Sequence, residues 1–135
     1  MSKKLLIDTD ILSNLMKKNE RVIKNAHDYL LEHRVFIFSV ITKYEILRGL
    51  KAKDATKQIE KFLMFCDKCL IFPIDDRIVT LASSIYADLR KKGKIISDAD
   101  ILISSTALVN NFGVVTNNTS HFDYLKDLTL ENWLN

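Results

Sequence analysis

Leu5-Leu6-Ile7-Asp8-Thr9-Asp10 decides the fold: an apolar run broken at once by two carboxylates. Continuous apolar residues closed by polar ones mark a short strand buried on both faces, the habit of parallel sheets. Directly behind it, Ile11, Leu12, Leu15 and Met16 share one helical face that ends near Lys17-Lys18-Asn19. A buried strand feeding straight into a helix is the first half of a β-α-β unit.

The same alternation continues along the chain. Val22, Ile23, Ala26, Tyr29 and Leu30 make a second amphipathic helix, and Val35-Phe36-Ile37-Phe38 is strand two. Ser39 suits the N-cap of a helix carrying Ile41, Tyr44, Leu47 and Leu50. A further stripe holds Ala55, Ile59, Phe62, Leu63 and Cys66, and Leu70-Ile71-Phe72 is strand three. Asp75-Asp76 caps a long helix through Ile78, Leu81, Ala82, Ile85 and Leu89. Ser97 opens a helix from Asp98 to about Asn111, Gly113-Val114-Val115-Thr116 is strand four, and Leu128-Thr129-Leu130 is a fifth. Hairpin turn signals are missing, so the connections are crossovers. The expected fold is α/β: three α/β/α layers around a central parallel sheet of four to five strands, one domain over residues 1–135. Three glycines and one proline leave little material for linkers.

In such a sheet ligands bind beyond the carboxyl ends of the strands. Asp8, Ser39 and Thr116 each close a strand there, and the Asp98/Asp100 helix starts on the same edge because it must run back to feed strand four. Glu45, under two turns into its helix, can lean over that edge. Acids from three remote segments thus gather in one place. At about 4 Å and an effective dielectric of about 20 each such pair costs roughly 4 kcal/mol, which a divalent cation relieves. All-oxygen ligands suit Mg²⁺ or Mn²⁺, and phosphodiester hydrolysis is the matching chemistry.

Each acid also has an ordinary explanation. Asp8 could cap the first helix, although Asp10 is the better-placed cap. Ser97-x-x-Asp100 matches a capping box, and Glu45 could pair with Arg48 three residues on. Asp98 reads as an exposed first-turn acid with a minor chance of touching metal. Their joint placement on one edge is what favours a site. Composition adds little: 47% hydrophobic and 27% charged residues describe an ordinary globular protein, and a net charge of +3 leans only mildly towards anionic partners. Met1-Ser2-Lys3-Lys4 leads into a strand without a signal-peptide core, and no apolar run would span a membrane, so a cytoplasmic protein is expected. The lone Cys66-x-x-Cys69 lacks a second ligand pair and is expected to stay reduced. Arg90-Lys91-Lys92-Gly93-Lys94 is most simply a solvated helix end, with contact to RNA phosphates as the alternative. Phe62, Met64 and Phe65 exceed one buried stripe and are expected to offer partner surface.

These landmarks resemble the PIN-domain ribonucleases, and most of all the VapC-type toxins of toxin–antitoxin pairs. The match runs from Leu5 to about Trp133. It rests on Leu6-Ile7-Asp8-Thr9-Asp10, Ser39-x-x-Thr42-x-x-Glu45-x-x-x-Gly49, Ile96-x-x-x-Asp100-Ile101-Leu102-Ile103 and Val115-Thr116-Asn117-Asn118-Thr119-x-His121-Phe122, in order and spacing. The resemblance implies an endoribonuclease whose catalytic, metal-binding acids are Asp8, Glu45 and Asp100. It implies an RNA substrate (tRNA or rRNA), Mg²⁺ or Mn²⁺, a homodimer, and a VapB-like antitoxin with a C-terminal segment over the active-site groove. Thr9, Ser39, Thr116, Asn118 and Asp98 are supporting candidates. Two positions depart from the pattern: Asn118 stands where a fourth acid is frequent, and Ser104-Ser105 replace paired alanines.

Two rival readings use the same residues. A haloacid-dehalogenase-type phosphatase would explain Asp8-Thr9-Asp10, Ser39, Lys68 and Asp75-Asp76, but it wants a flap insertion after the first motif and leaves Glu45 and Asp100 idle. A non-catalytic PIN-like binding module has no need of the acids.

Overall fold

Five short strands and six helices follow one another in the computed structural model, which describes residues 2–135. They are β1 (Leu5–Ile7), α1 (Thr9–Met16), α2 (Glu20–His33), β2 (Ile37–Ser39), α3 (Val40–Ala52), α4 (Thr56–Cys66), β3 (Leu70–Phe72), α5 (Asp76–Lys91), α6 (Asp98–Val109), β4 (Gly113–Val115) and β5 (Leu130–Glu131). The sheet order is β3-β2-β1-β4-β5 and every pair is parallel. Central β1 therefore has neighbours on both sides, which is why all three of its residues are apolar and buried.

Alternation along the strands splits the core in two. Leu5, Ile7, Phe36, Phe38 and Val115 face α1, α2 and α4, where Ile11, Leu12, Val22, Phe62 and Cys66 close over them. Leu6, Ile37 and Val114 face α6, through Ile103 and Ala107. Burying each such side chain is worth roughly 1.5–3 kcal/mol. α5 packs mainly on α6. It covers the outside of α6 through Ala82, Ile85 and Leu89, with Ile101 between.

Several boundaries move. α1 starts at Thr9 rather than Ile11, because Asp8 and not Asp10 occupies the N-cap position. Strand two ends on Ser39, whose hydroxyl accepts from Ile41 N–H while the residue stays in the ladder. The fifth strand is Leu130–Glu131, and Leu128 is instead a core residue. Phe62 is fully buried and Phe65 packs against the same core, so only Met64 of that trio is exposed and the partner-surface expectation fails for Phe62. The reason is α4's place on the sheet, where it presents a face broad enough for both rings. Cys66 and Cys69 are free thiols, both pushed up in pKa by burial, Cys69 to about 12. α1 follows Asp8 without a gap, which leaves no room for the flap a haloacid-dehalogenase-type phosphatase needs.

Gly113 opens β4 where the backbone passes closest to β1. A Cβ there would lie 2.8 Å from Leu5 Cδ2 and 3.0 Å from the Thr129 carbonyl oxygen. Gly113→Ala is therefore expected to cost about 1–3 kcal/mol, read as a lower urea midpoint at unchanged slope.

Candidate active site

β1 ends by placing Asp8 at the carboxyl edge, with its backbone N–H still donating to the Val115 carbonyl (2.9 Å). The side chain is held from both sides. Thr9 N–H donates to Oδ1 (2.8 Å) and the Thr116 hydroxyl donates to Oδ2 (2.7 Å). Asn118 N–H in turn donates to the Thr116 oxygen (3.0 Å), which fixes that rotamer. Asp8 is 5% exposed. Burial is the main reason its pKa is pushed up to about 7; the Thr116 and Thr9 hydrogen bonds oppose this, while the Asp10 and Asp100 charges add to it.

Asp10 stands one step along α1. Its Oδ1 accepts from Ile11 N–H (2.8 Å) and its Oδ2 from Asn117 N–H (3.0 Å), tying the helix to the segment after β4. Its pKa is also raised, chiefly by burial and further by Asp100, against the hydrogen bonds from Asn117 and Ile11. The sequence offers Asp10 as a helix cap, and a D-x-D spacing in the first turn was the signal that it also faces the edge.

Asp100 arrives from the first turn of α6, where the Ser97 hydroxyl accepts its N–H (3.2 Å). Its Oδ2 lies 3.1 Å from His121 Nδ1. Glu45 comes from α3. Thr9 hydroxyl donates to its Oε1 (2.6 Å), and Thr42, fully buried, lies 3.1 Å from the same Thr9 oxygen. Glu45 Oε2 is 3.7 Å from Arg48, so the i,i+3 pair exists alongside the contact to Thr9.

The candidates therefore fall into groups. Asp8, Asp10 and Asp100 lie within one another's electrostatic reach, and Glu45 joins them through Thr9. Ser39 is fully buried on the neighbouring strand, level with Asp8 because Leu6 pairs with Ile37, and is used as the α3 cap. Thr116 touches Asp8 directly. Asn118 contributes its backbone, with the residue itself exposed, and Asp98 is exposed in the first turn of α6. Thr42 and His121 stand within the motifs of the resemblance, and the structure supplies the partners the sequence did not give them, Thr9 and Asp100.

The donors to the Asp8 and Asp10 carboxylates are all neutral backbone or hydroxyl groups. Partly buried anions that raise each other's pKa, without a Lys or Arg among them, are a donor set of the kind a hard divalent cation takes. Among the described residues, no three His, Cys, Asp or Glu side chains stand close enough to chelate an ion as they are, so a cation would draw Asp100 or Glu45 inward.

Comparison with known proteins identifies the family. The PIN domain family model matches residues 5–127. The chain is 34% identical over 128 residues to ribonuclease VapC1 of Methanocaldococcus jannaschii, covering 95% of this chain and 85% of that protein. It is 28% identical over 129 residues to ribonuclease VapC2 of Rickettsia felis, covering 95% and 96%. Among solved structures, VapBC2 from Rickettsia felis bound to a DNA fragment from its promoter superposes with a TM-score of 0.85 at 26% identity, covering 96% of this chain and 98% of that one.

A carboxyl with a raised folded-state pKa binds more protons folded than unfolded. Its contribution to stability therefore falls as pH climbs from about 4 to about 7 and is level above that. Three pKa units correspond to roughly 4 kcal/mol as an upper bound. In EDTA, Asp8→Asn is expected to stabilise the fold by about 2–4 kcal/mol at pH 8, and the gain should shrink towards zero by pH 4 in urea titrations.

Proposed function

Because the chain belongs to the PIN-domain family, we propose that it is an endoribonuclease, a VapC-like toxin that hydrolyses RNA phosphodiester bonds and is held in check by a VapB-like antitoxin. The observation that carries this reading is the buried Asp8 carboxylate, closed in by neutral donors and further acids at the one edge where an α/β sheet presents ligands.

Mg²⁺ or Mn²⁺ would be held by Asp8 and Asp100, with Asp10 or Glu45 completing the set. Such an ion activates a water and polarises the phosphoryl oxygen when bound. The chain's own part is positional. Thr116 and Thr9 N–H fix both oxygens of Asp8, so its carboxylate cannot rotate away. Thr9 hydroxyl does the same for Glu45, and Thr42 braces Thr9 from beneath. His121 holds one oxygen of Asp100 through its Nδ1. Hydrolysis by water needs no covalent nucleophile.

The antitoxin has a place to lie. A groove of about 750 Å³ starts at Thr9 and Glu45 and runs between α1, α2, α3 and α4. Its walls are apolar, from Met16, Ile23, Leu30, Ile46, Leu50 and Phe65, and Lys17, Lys18, Lys53 and Lys61 are among its lining residues. An apolar segment with acidic flanks fits that chemistry and would end over the carboxylates. The homodimer belongs to the same proposal, with exposed Val40 and Tyr44 on α3 and Val79 on α5 as available apolar contacts.

Repurified protein is expected to cut RNA only with Mg²⁺ or Mn²⁺ and to stop in EDTA. Asp8→Asn should lower the rate by roughly 100- to 1,000-fold or more. Mg²⁺ should raise the melting midpoint of the parent and leave that of Asp8→Asn unmoved. Cleavage that survives both the substitution and the chelator overturns the assignment, and mapped RNA ends separate tRNA from rRNA as target. Ile23→Glu, which charges the groove wall, should weaken inhibition by the antitoxin at least tenfold with RNA cleavage retained.

A further inference from the structure

One strongly charged surface is not used by the site or the groove. α5 and α6 run antiparallel: the Arg77 guanidinium at the start of α5 donates to the Val109 carbonyl at the end of α6 (3.2 Å), and Leu89 packs with Ile101 at the other end. The turn joining them therefore lies at the N-terminal end of α6, the end whose first turn carries Asp100. Gly93 makes the reversal, with φ at +69° and open space around it. Lys94 N–H closes the turn on the Leu89 carbonyl (2.9 Å).

That turn projects Arg90, Lys91, Lys92 and Lys94 into solvent. Among the described residues none of the four makes an ion pair, although Asp88 and Asp98 flank the run. Compensation of the α5 dipole accounts for Arg90 and Lys91 in its last turn and Lys92 at its C-cap, but not for Lys94 beyond them. Ile96 folds back against the α5–α6 core, which leaves Ile95 98% exposed, and Tyr86 stands nearby at 47%. An isoleucine held out at the tip of a cationic turn is unusual for a merely solvated helix end.

We infer that this turn is the substrate-guiding surface of the protein: it grips single-stranded RNA beside the cleavage point, the cations on phosphates and Ile95 with Tyr86 against an unstacked base. The inference rests on the ribonuclease reading and adds to it. A centre built of Asp8, Asp10 and Asp100 repels a polyanion, so cations just outside it must hold the strand. Single strands are favoured because a duplex keeps its bases away from such apolar side chains.

The test measures binding of a fluorescent single-stranded RNA oligonucleotide to Asp8→Asn protein across a salt series, so that cutting does not interfere. Adding Lys91→Gln, Lys92→Gln and Lys94→Gln should weaken binding about 10- to 100-fold near ~0.1 M salt. The slope of log Kd against log salt should drop by about 2. Lys24→Gln, Lys57→Gln and Lys68→Gln, the same charge change on elements packed against the other sheet face, should shift Kd less than about threefold. Ile95→Ser should weaken binding several-fold at unchanged salt slope. Equal losses in both lysine triples, an unchanged Kd in the first, or equally tight binding of a duplex of the same length overturns the inference. Parent protein that binds RNA while the turn variants bind it equally well leaves the ribonuclease reading standing and removes only this one. Parent protein that binds no RNA removes both.

Discussion

Everything at the working edge depends on one buried charge. Asp8 closes the central strand, where it is buried and, among the described residues, has no cationic side chain paired with it. Two hydrogen bonds from Thr9 and Thr116 offset part of the desolvation, yet the carboxyl still sits about three pKa units above its ordinary value. The fold therefore carries a standing penalty at neutral pH. A cation that entered would remove it, which couples the stability of the central strand directly to the chemistry of the site.

The same edge also receives helix N-termini. α1, α3 and α6 begin there, capped by Asp8, Ser39 and Ser97. In α1 the first-turn N–H groups of Thr9 and Ile11 donate directly to Asp8 and Asp10, and the N-terminal ends of the helices favour negative charge. Chain order places α1 and α3 at this edge, because each starts where a strand stops, and α6 starts there because it runs back to feed β4. The topology supplies a partly positive frame, and the sequence fills it with carboxylates. Asp10 shows the economy of the design: one oxygen serves the first turn of α1 and the other ties down the segment after β4.

What could be read from the chain follows from which physics is local. The strands and helices were legible because a strand buried on both faces must be apolar throughout, and because Ser39, Asp75 and Ser97 cap in the ordinary way. Asp8, Asp100 and Glu45 were legible as candidates from topology alone. Asp10 was not, since its capping signature hid its second contact. The roles of Thr42 and His121 were not legible for a different reason: their partners, Thr9 and Asp100, lie far along the chain, and no periodicity reports such contacts. The same limit explains Phe62. An apolar stripe says that a helix has a buried face, but its width depends on the neighbour it meets, and α4 meets the sheet while α5 packs mainly on α6.

That difference between α4 and α5 divides the molecule's surroundings in two. On the β1–α1–α2–α4 side the approach to the carboxylates is an apolar groove, which favours a segment able to bury side chains and hold still. On the α5–α6 side the approach is a solvated basic turn, which favours a flexible polyanion bound mainly through counterion release. An inhibitor and a substrate with those two chemistries would share only the acids between them. Inhibition would then need no competition for the lysines: a segment seated in the groove has only to reach Glu45 and Asp8 to keep a phosphate out. Salt would loosen the substrate more than the inhibitor, because it screens the acidic flanks of the segment in the groove but not the burial of its apolar side chains.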